Sequence, residues 1–369
     1  MTPVRRLESI SILSPQLYPY TVNAPSNIAY HEAKHLSKHF DWVTLYVNQP
    51  PRRAYTPPSL PDNVELRVNN LRRLVNPSIF IKLVADSRLV HTHFLPSPTE
   101  ATTLIPLLRS TILTHHGSLA PELGNARRKA GWAGYTLKRL QLELLKRGFK
   151  KIIVPSTFMA QHAELEGFKR ESLAIIANGV ELDLYRGGEA LQLEGEPPIL
   201  WVGYTKPSKG SHIMIALSKK LESTLPKARI HFVGYYNQAY ASELSRRSVN
   251  NIVLHGPKSP FEMPKYYRGA WFTLNPSLFE SFSMVTLESL ASSRPVITVD
   301  NGAARDLVTH GQNGYISQPD PEELAQYVYT LSQDQYKLRE MSENAFKSAQ
   351  NYDWSNVTTK LVELLRRTM

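Results

Sequence analysis

Short runs of β-branched and aromatic residues alternate with longer amphipathic stretches along the 369-residue chain. Runs of strand length include SISIL (9–13), WVTLYV (42–47), PILWVGY (198–204) and PVITVD (295–300), whereas NIAYHEAKHLSKHF (27–40) has helical spacing. Alternation of strands with helices is typical of βαβ units, in which the strands pair in parallel. We therefore predict an α/β fold built on parallel sheets.

The length of the chain predicts two domains, because single hydrophobic cores stop growing at roughly 250 to 300 residues. The periodic pattern is interrupted at YRGGEALQLEGEPP (185–198), where Gly, Glu and Pro dominate, and we interpret this stretch as a linker. Two doubly wound domains then follow one another. Ligands of such domains bind at the carboxyl ends of the strands, so the residues just after strands are the candidate site residues.

The composition is that of a globular protein and excludes sites that need cysteine. Hydrophobic residues make up 42% and charged residues 20% of the chain, as in ordinary globular proteins. The sequence has no cysteine, which excludes disulfides, thiolate metal sites and cysteine nucleophiles. Without a signal peptide or an apolar run of membrane-spanning length, we expect a cytoplasmic protein that does not cross a membrane.

The net charge of +11 is concentrated in the first half of the chain. Residues 1–186 hold 24 Lys and Arg against 14 Asp and Glu, whereas residues 187–369 hold 19 against 18. Such an excess favours an anionic partner: a membrane surface, an acceptor molecule or a nucleic acid. Because no nucleic-acid-binding motif is present, we do not expect nucleic acid to be the partner.

The densest basic segment is ARRKAGWAGYTLKRLQLELLKRGFKK (126–151), in which aromatic and aliphatic residues recur at helical spacing. One interpretation is a helix that binds an anionic membrane or acceptor. The other is a helix whose apolar stripe packs in the core while its charges face water. The residues of the candidate patch are Arg127, Arg128, Lys129, Trp132, Lys138 and Arg139.

The stretch LFESFSMVTLES (278–289) places Glu280 and Glu288 eight positions apart at a strand end and a helix start. Ser281 or Ser283 can cap that helix. Backbone N–H groups at a helix start favour phosphate, and a carboxylate accepts hydrogen bonds from vicinal hydroxyls. A sugar nucleotide offers both groups. The alternative is that Glu280 only supports the first turn of the helix and Glu288 is an exposed helix residue.

A second loop, GYTKPSKGSHIM (203–214), also follows a strand and opens a helix. Gly203 and Gly210 allow backbone conformations that other residues rarely adopt. Lys206 and Lys209 supply positive charge for a phosphate. The loop has neither the Walker nor the dinucleotide glycine spacing, so nucleotide hydrolysis and NAD binding are not supported. A solvated lysine turn is the alternative.

Four histidines, His91, His93, His115 and His116, end two strands of the first domain. A metal site is disfavoured, because neither pair has an acidic residue nearby in the sequence and adjacent strand residues face opposite ways. We expect one of these histidines to face a crevice, with a core or surface histidine as the alternative.

Taken together, these motifs resemble the retaining GT-B glycosyltransferases of family four. The strongest similarity is NPSLFESFSMVTLESLASSRPVITVDNGAARDLVTHGQNGYI (275–316), which is similar to the E-x7-E block of that family. The resemblance implies two Rossmann-like domains that face a central cleft. Residues 1–186 would bind the acceptor, residues 187–352 the nucleotide sugar, and the helix at 353–369 would cross back to the first domain.

The resemblance also implies roles for individual residues. Glu288 would bind the ribose of the donor, Glu280 would hold the donor sugar, and Lys209 would face the diphosphate. His116 would reach the sugar from the first domain. The other implied donor-binding residues are Gly203, Tyr204, Lys206, Ser281, Phe282, Ser283 and Met284, with His255 and Gly256 beside the base.

The implied activity is retaining, metal-independent transfer of a hexose from a nucleotide-diphosphate sugar, without a cofactor. The acceptor would be a glycan or a lipid-linked molecule, and the protein could then sit peripherally at the inner face of the cell membrane. Tyr204 departs from the family pattern, because an arginine is usual there. The alternative is therefore a sugar-nucleotide-binding protein that has lost catalysis.

Overall fold

The protein is described by a computed structural model for residues 7–16, 18, 24–49, 59–68, 89–93, 111–117 and 120–368. It divides into two compact units. The first comprises residues 1–179 and 354–369, and the second comprises residues 180–353. What each unit binds is not decided by this division, so the assignment of acceptor and donor domains stays a prediction.

The described strands of the first unit form a seven-stranded parallel sheet in the order β3-β2-β1-β4-β5-β6-β7. These strands are β1 Leu7–Gln16, β2 Phe40–Gln49, β3 Val64–Val68, β4 Leu89–Thr92, β5 Thr111–Thr114, β6 Lys151–Val154 and β7 Leu173–Ile175. The helices between them are α1 Ala24–Leu36, α2 Ala120–Gly148 and α3 Thr157–Leu165.

The second unit repeats this design with a six-stranded parallel sheet in the order β10-β9-β8-β11-β12-β13. Its strands are β8 Pro198–Tyr204, β9 Arg229–Tyr235, β10 Ile252–Leu254, β11 Phe272–Asn275, β12 Val296–Val299 and β13 Gly314–Ser317. Its helices are α4 Leu182–Arg186, α5 Ser211–Thr224, α6 Gln238–Arg246, α7 Met263–Gly269, α8 Met284–Ala291, α9 Ala304–Leu307, α10 Pro321–Gln333 and α11 Gln335–Ala349.

The last helix, α12 (Trp354–Thr368), belongs to the first unit. It packs against α1 through Trp354, Val357, Leu361 and Leu365, which join the core on one face of that sheet. A Cβ atom at Gly179 would lie 2.7 Å from the Trp354 ring atom Cε2, so only glycine leaves room for this indole. The amphipathic pattern of the closing segment thus serves to complete the first core.

The prediction of an α/β fold built on parallel sheets is confirmed, because the described strand pairs of both sheets are all parallel. Every strand predicted from an apolar run is present among the described residues. The short strand β13 was not predicted. Helix α10 ends at Gln333, and Asp334 then caps the start of α11.

The Gly-, Glu- and Pro-rich stretch at 185–198 lies inside the second unit. It is held to α7 by the hydrogen bond from Leu191 N–H to Lys265 O (3.0 Å) and by the Arg268 guanidinium, which donates to Glu189 O (2.9 Å). The interruption of the periodic pattern by Gly, Glu and Pro predicted a linker there, but hydrogen bonds tie the segment to the second unit.

Candidate functional site

The carboxyl edge of the second sheet carries most of the predicted site residues. Strand order reverses between β8 and β11, which are neighbours in this sheet. Loops leave such a reversal point in opposite directions and open a crevice between them. Lys209 follows β8, and Glu280 follows β11, so the sheet topology brings together residues 71 positions apart.

Lys209 and Glu280 form an ion pair across this point, with Nζ 2.8 Å from Oε1. Both side chains are partly exposed, which leaves the pair accessible to a ligand. The backbone of Glu280 is fixed independently, because its N–H donates to Asn301 O at 3.0 Å. The pair therefore places a cation and a carboxylate side by side on a rigid support.

Gly210 allows the two loops to approach so closely. Its φ is +70°, and a Cβ atom there would collide with the carbonyl oxygen of Pro276. The N–H of Leu278 also donates to Ser208 O at 3.0 Å, which ties the loop after β11 to the loop after β8. A glycine is needed at this position both for its backbone conformation and for space.

Helix α8 begins at the same edge, and Ser283 is its N-cap, as the sequence predicted. Ser283 has a φ of +72°, and its Oγ accepts hydrogen bonds from Thr286 N–H (3.3 Å) and Asn275 Nδ2 (2.9 Å). Phe282 is buried against Tyr352, so only its backbone can face a ligand. Ser281 and Met284, on either side of this turn, are both partly exposed.

Glu288 lies one turn into α8 and is held by tyrosines. The hydroxyl of Tyr267 donates to its Oε2 at 2.9 Å. Burial raises the pKa of Glu288 to about 7, although hydrogen bonds from Tyr267 and Tyr185 oppose the rise. At neutral pH the carboxyl group is therefore balanced between its protonated and ionised forms.

Tyr204 ends β8 and stacks on Tyr235, which ends the adjacent β9, with ring centroids 5.5 Å apart and planes 12° apart. Both rings are exposed. The ammonium group of Lys206 lies 5.6 Å from the centroid of Tyr204. Lys206 thus lies beside the position where the family has its arginine. Gly203, just before Tyr204, has a φ of +148° and open space beside its Cα.

His255 follows β10 and is oriented by a second histidine. Its Nε2 lies 2.9 Å from His231 Nδ1, and His231 Nε2 lies 2.8 Å from Glu194 O. A carbonyl can only accept, so His231 donates from Nε2 and accepts at Nδ1 from His255. Burial lowers the pKa of both rings, which favours these neutral forms. Gly256 has a φ of +70° and open space around its Cα.

The first unit gathers a different cluster. His93 contacts His116 (Nδ1 to Nε2, 3.1 Å) and the buried Glu32 of α1 (Nε2 to Oε2, 2.9 Å). His115, next to His116 in the sequence, points the other way, and its Nε2 lies 3.2 Å from Oε2 of Glu166. The prediction that His115 and His116 face opposite ways is confirmed. No acidic partner was apparent in the sequence, because Glu32 lies 61 residues before His93.

Glu32, His91 and His93 also form one of the groups of described side chains that could hold a metal ion. One potential ligand atom from each lies within 4.8 Å of the others, and all three residues are buried. Nδ1 of His91 is 3.0 Å from Oε2 of Glu32, and Nε2 of His91 is 2.6 Å from Oγ1 of Thr114.

Helix α2 contains the predicted basic patch, and each of the two interpretations fits part of it. Leu142 and, just after the helix, Phe149 are buried in the core, whereas Trp132, Leu137 and Leu140 are about 60% exposed (64%, 60% and 59%). Among the patch residues, the Arg127 guanidinium lies 4.0 Å from the Trp132 ring centroid. Arg128 and Arg139 are exposed, Lys138 is partly exposed, and the side chain of Lys129 lies outside the described residues.

No helix in the described part of the chain is both long enough and apolar enough to cross a bilayer.

Sequence reasoning missed the residues that hold the predicted ones in place. Tyr267 supports Glu288, Tyr235 stacks on Tyr204, and Asn275 fixes the cap at Ser283. Only Asn275 gave a usable signal, since it is a polar residue at the end of an apolar strand. The two tyrosines carry no motif of their own.

Two family models match the chain. "Glycosyltransferase Family 4" matches residues 26–184, and "Glycosyl transferases group 1" matches residues 189–348. The chain belongs to glycosyltransferase family 4. The resemblance inferred from the E-x7-E block is thereby confirmed at the level of the family, and the two models fall one in each compact unit but for residues 180–184.

Curated relatives in this family include a poly(glycerol-phosphate) alpha-glucosyltransferase from Bacillus subtilis, 35% identical over 31% of this chain and 18% of that protein. A D-inositol 3-phosphate glycosyltransferase from Thermobispora bispora is 27% identical over 53% of this chain and 50% of that protein. The matched stretch thus spans half or less of the length of each of these relatives.

Among solved structures, HepE from Anabaena in complex with UDP-glucose superposes with a TM-score of 0.74 at 18% identity. The match covers 97% of this family 4 chain and 99% of HepE. At such low identity the likeness shows the fold, which is GT-B.

Proposed function

We propose that the protein is a retaining glycosyltransferase that moves a hexose from a nucleotide-diphosphate sugar to an acceptor. The observation that carries this proposal is the Lys209–Glu280 pair at the start of α8, where the strand order of the second sheet reverses. Cation, helix N-terminus and carboxylate together suit a ligand that joins phosphate to sugar.

The diphosphate would bind at Lys209 and at the first N–H groups of α8. The ammonium group and the positive end of the helix dipole both stabilise the negative charge that develops on a departing diphosphate. Lys209 would exchange Glu280 for phosphate oxygens, and the released carboxylate would then accept hydrogen bonds from sugar hydroxyls. The amides of Ser281, Phe282 and Ser283 lie next to this point.

The nucleoside end of the donor would lie toward Glu288. Its carboxylate accepts hydrogen bonds, and a ribose offers two adjacent hydroxyl donors. The imidazole of His255 and the open backbone at Gly256 supply the surface beside the base, at the end of β10.

Retention would follow from attack on the face that the leaving group occupies. The bond between the anomeric carbon and the phosphate oxygen breaks, and the acceptor oxygen bonds to that carbon on the same side. The acceptor proton passes to the departing phosphate oxygen, so neither a nucleophilic carboxylate nor a bound divalent metal is required. Lys209 and α8 would supply the positive charge.

We propose UDP-glucose as the first donor to test, since HepE, which has the same fold, has been solved with it. Two relatives are named for phosphate-bearing acceptors, poly(glycerol-phosphate) and D-inositol 3-phosphate. An anionic acceptor would suit the basic first half of this chain. A lipid-linked acceptor would also suit the exposed side chains of α2, with the protein at the inner face of the cell membrane.

A ligand screen followed by a transfer assay tests the function. Thermal shift with UDP-, GDP- and ADP-sugars, each with and without EDTA, should show stabilisation by one base that EDTA leaves unchanged. With that donor and a glycerol phosphate or inositol phosphate acceptor, NMR should show product with the anomeric configuration of the donor. An inverted product would exclude retention, and loss of turnover in EDTA would exclude metal independence.

Vesicle co-sedimentation tests the membrane partner. The chain should bind vesicles containing anionic lipid, and binding should fall with salt. Replacing Trp132 and Leu137 with alanine should weaken binding, whereas Leu165→Ala, at a leucine 86% exposed on α3, should not. Binding that is equal for neutral and anionic vesicles would contradict this partner.

A second candidate function is donor binding without catalysis, and Tyr204 favours it. A tyrosine brings no positive charge to the diphosphate where the family has an arginine. Nucleotide-sugar binding without transfer to any acceptor in wild-type protein, and transfer gained by Tyr204→Arg, would support this candidate. Turnover in the wild type would exclude it.

A further inference from the structure

Two exposed tyrosines end neighbouring strands of the second sheet. Tyr204 ends β8 and Tyr235 ends β9, and the two residues are paired in register. Their ring centroids lie 5.5 Å apart and their planes differ by 12°. Coplanar rings would collide at this distance, so one ring lies over the other, as in an offset-stacked pair. The axis of the stack therefore runs across the strands, from β8 to β9.

Glycines fix the backbone just before both tyrosines. Gly203 and Gly234 have φ values of +148° and +149°, which residues with a side chain rarely adopt. A Cβ atom at Gly234 would collide with the carbonyl oxygen of Gly203. Just after these glycines, the N–H of Thr205 donates to Tyr235 O at 3.1 Å. The two rings are thus carried on close-packed, hydrogen-bonded strand ends.

The stack has one covered end and one open end. The ammonium group of Lys206 lies 5.6 Å from the ring centroid of Tyr204. Tyr235 is 51% exposed, and Tyr204 is its one ring neighbour in the part of the chain that the structure describes. Because Tyr204 covers one face of the Tyr235 ring, the face directed away from it is the one open to a ligand.

A third ring in line with this stack would lie at the carboxyl end of β10, the strand that pairs with β9 on its other side. Gly256 lies there, since its carbonyl oxygen accepts a 3.1 Å hydrogen bond from the N–H of Gly234. Apart from its chain neighbours, no described atom lies within 4 Å of the place that a Cβ atom would take at Gly256. The end of β10 thus offers an open position one strand beyond Tyr235.

The order of the strands at this edge matches the order of the parts of a nucleotide sugar. The sheet order is β10-β9-β8-β11, with Glu280 after β11 and Lys209 after β8. If the sugar lies at Glu280 and the diphosphate at Lys209, the nucleoside comes next, toward β9 and β10. The open position lies three strand spacings from β11, about 14 Å away. The part of the donor that reaches it is the base.

We propose that the ring of Tyr235 is the platform on which the base of the donor nucleotide stacks, in the open position beside Gly256. That the stacked ring belongs to a nucleotide rests on the proposed function. A planar base continues a column of parallel rings, whereas a pyranose ring is puckered. Stacking is tolerant of sequence because every base has a π face. Tyr235 therefore supplies affinity, and the choice of base falls to polar groups at the same edge.

Calorimetry with UDP and with inorganic pyrophosphate, on the full chain, tests the platform. Tyr235→Leu should raise the Kd of UDP about 5- to 150-fold, the value of stacking one base, and leave the Kd of pyrophosphate, which has no base, unchanged. Tyr235→Phe keeps the ring and should lose less than Tyr235→Leu. Equal UDP affinity in the wild type and Tyr235→Leu would overturn the proposal, and so would equal losses for the two ligands. If the thermal-shift screen selects another base, its nucleoside diphosphate replaces UDP.

NMR of bound UDP reports the stacking itself. The ring current of Tyr235 should move the base protons upfield in the wild type but not in Tyr235→Leu. Tyr329→Leu is the matched control, because Tyr329 is 50% exposed on α10, and it should show the wild-type shift. Base protons with the same shift in Tyr235→Leu as in the wild type would overturn the proposal.

Transfer kinetics separate the base from another occupant and the platform from the function. With UDP-glucose, Tyr235→Leu should raise the KM of the donor and leave the KM of the acceptor unchanged. A raised acceptor KM with an unchanged donor KM would overturn the proposal, because it would place the acceptor on the platform. A chain that binds UDP but transfers no sugar would instead refute the proposed function, while the stack would stand on its own binding measurement.

Discussion

The hydroxyl of Tyr267 donates a 2.9 Å hydrogen bond to Oε2 of Glu288, which secures a carboxyl group whose pKa burial raises to about 7. The two residues come from neighbouring helices, α7 and α8, and lie 21 positions apart. A group that titrates near neutrality at a candidate ligand site makes both stability and binding depend on pH.

The contribution of Glu288 to the free energy of unfolding should fall as pH rises. Its folded pKa lies above the ordinary value of 4.5, so the folded chain holds the proton more tightly and loses that advantage between about pH 4.5 and 7. Glu288→Gln stays neutral and should raise the melting temperature at pH 8.5 by about 2 to 4 °C, with little change at pH 4.5. Glu343→Gln, at an exposed position on α11, is the control and should match the wild type at both pH values. A lower melting temperature for Glu288→Gln at pH 8.5 would contradict the burial argument.

Donor binding should strengthen over the same pH range. If Glu288 accepts hydrogen bonds from ribose hydroxyls, its ionised form binds better, so the dissociation constant of the donor should fall as pH rises through about 7. Calorimetry at pH 6 and 8 measures this change, and in Glu288→Gln it should disappear. The same pH dependence in the variant would assign it to another group.

Removing the ammonium group of Lys209 should weaken donor binding. Lys209→Ala deletes a charged hydrogen bond worth about 1.5 to 3 kcal/mol, so the dissociation constant should rise roughly 10- to 150-fold. Lys265→Ala is the control, because Lys265 is also ion-paired in the second unit, to Glu189, but on the exposed side of α7. Equal affinities in the wild type and Lys209→Ala would remove Lys209 from the diphosphate site.

Gly210→Ala should be far more harmful than an alanine at another left-handed glycine. Gly210 and Gly311 have φ values of +70° and +78°, but only at Gly210 would the new Cβ atom meet backbone, the carbonyl of Pro276. Gly311→Ala should cost about 1 kcal/mol of unfolding free energy in urea. Gly210→Ala should cost more and also displace Lys209, which weakens donor binding. Equal losses in the two variants would show that the loop shifts to accommodate the new Cβ atom.

Ser283→Gly should be milder than Ser283→Ala. Both variants lose the Oγ contacts to Asn275 and Thr286, so the helix cap is lost. Glycine alone relieves the left-handed backbone at φ +72°. We expect Ser283→Ala to cost about 1 to 2 kcal/mol and Ser283→Gly less, measured by urea unfolding. The reverse order would mean that the serine is not strained.

The sequence predicted the sheets and the loops of the second unit because both rest on local patterns. Apolar runs marked the strands, and Lys209, Glu280 and Ser283 each followed a run. Strand β13 was missed because its four residues, GYIS, form no longer apolar run. Parallel pairing with β12, rather than local propensity, makes it a strand.

Partners that lie far apart in the chain could not be predicted in the same way. Glu32 and His93 are 61 residues apart, and they meet because β1 lies between β2 and β4 in the sheet, with α1 packed on it. A metal site was disfavoured for lack of a nearby acid, yet the nearest acid in space came from the first helix. Sheet order, which single-residue patterns do not encode, decides such contacts.

The position of α12 has a consequence for how the chain acquires its structure during synthesis. Trp354, Leu361 and Leu365 complete the core of the first unit, so that core cannot close until residues 354–365 have left the ribosome. Residues 180–353, by contrast, contain every strand of the second sheet and become available earlier. Domains fold as units, and the first is usually the N-terminal one. We expect the reverse order here, with the face of the β1–β7 sheet that α1 covers only in part completed when α12 is present.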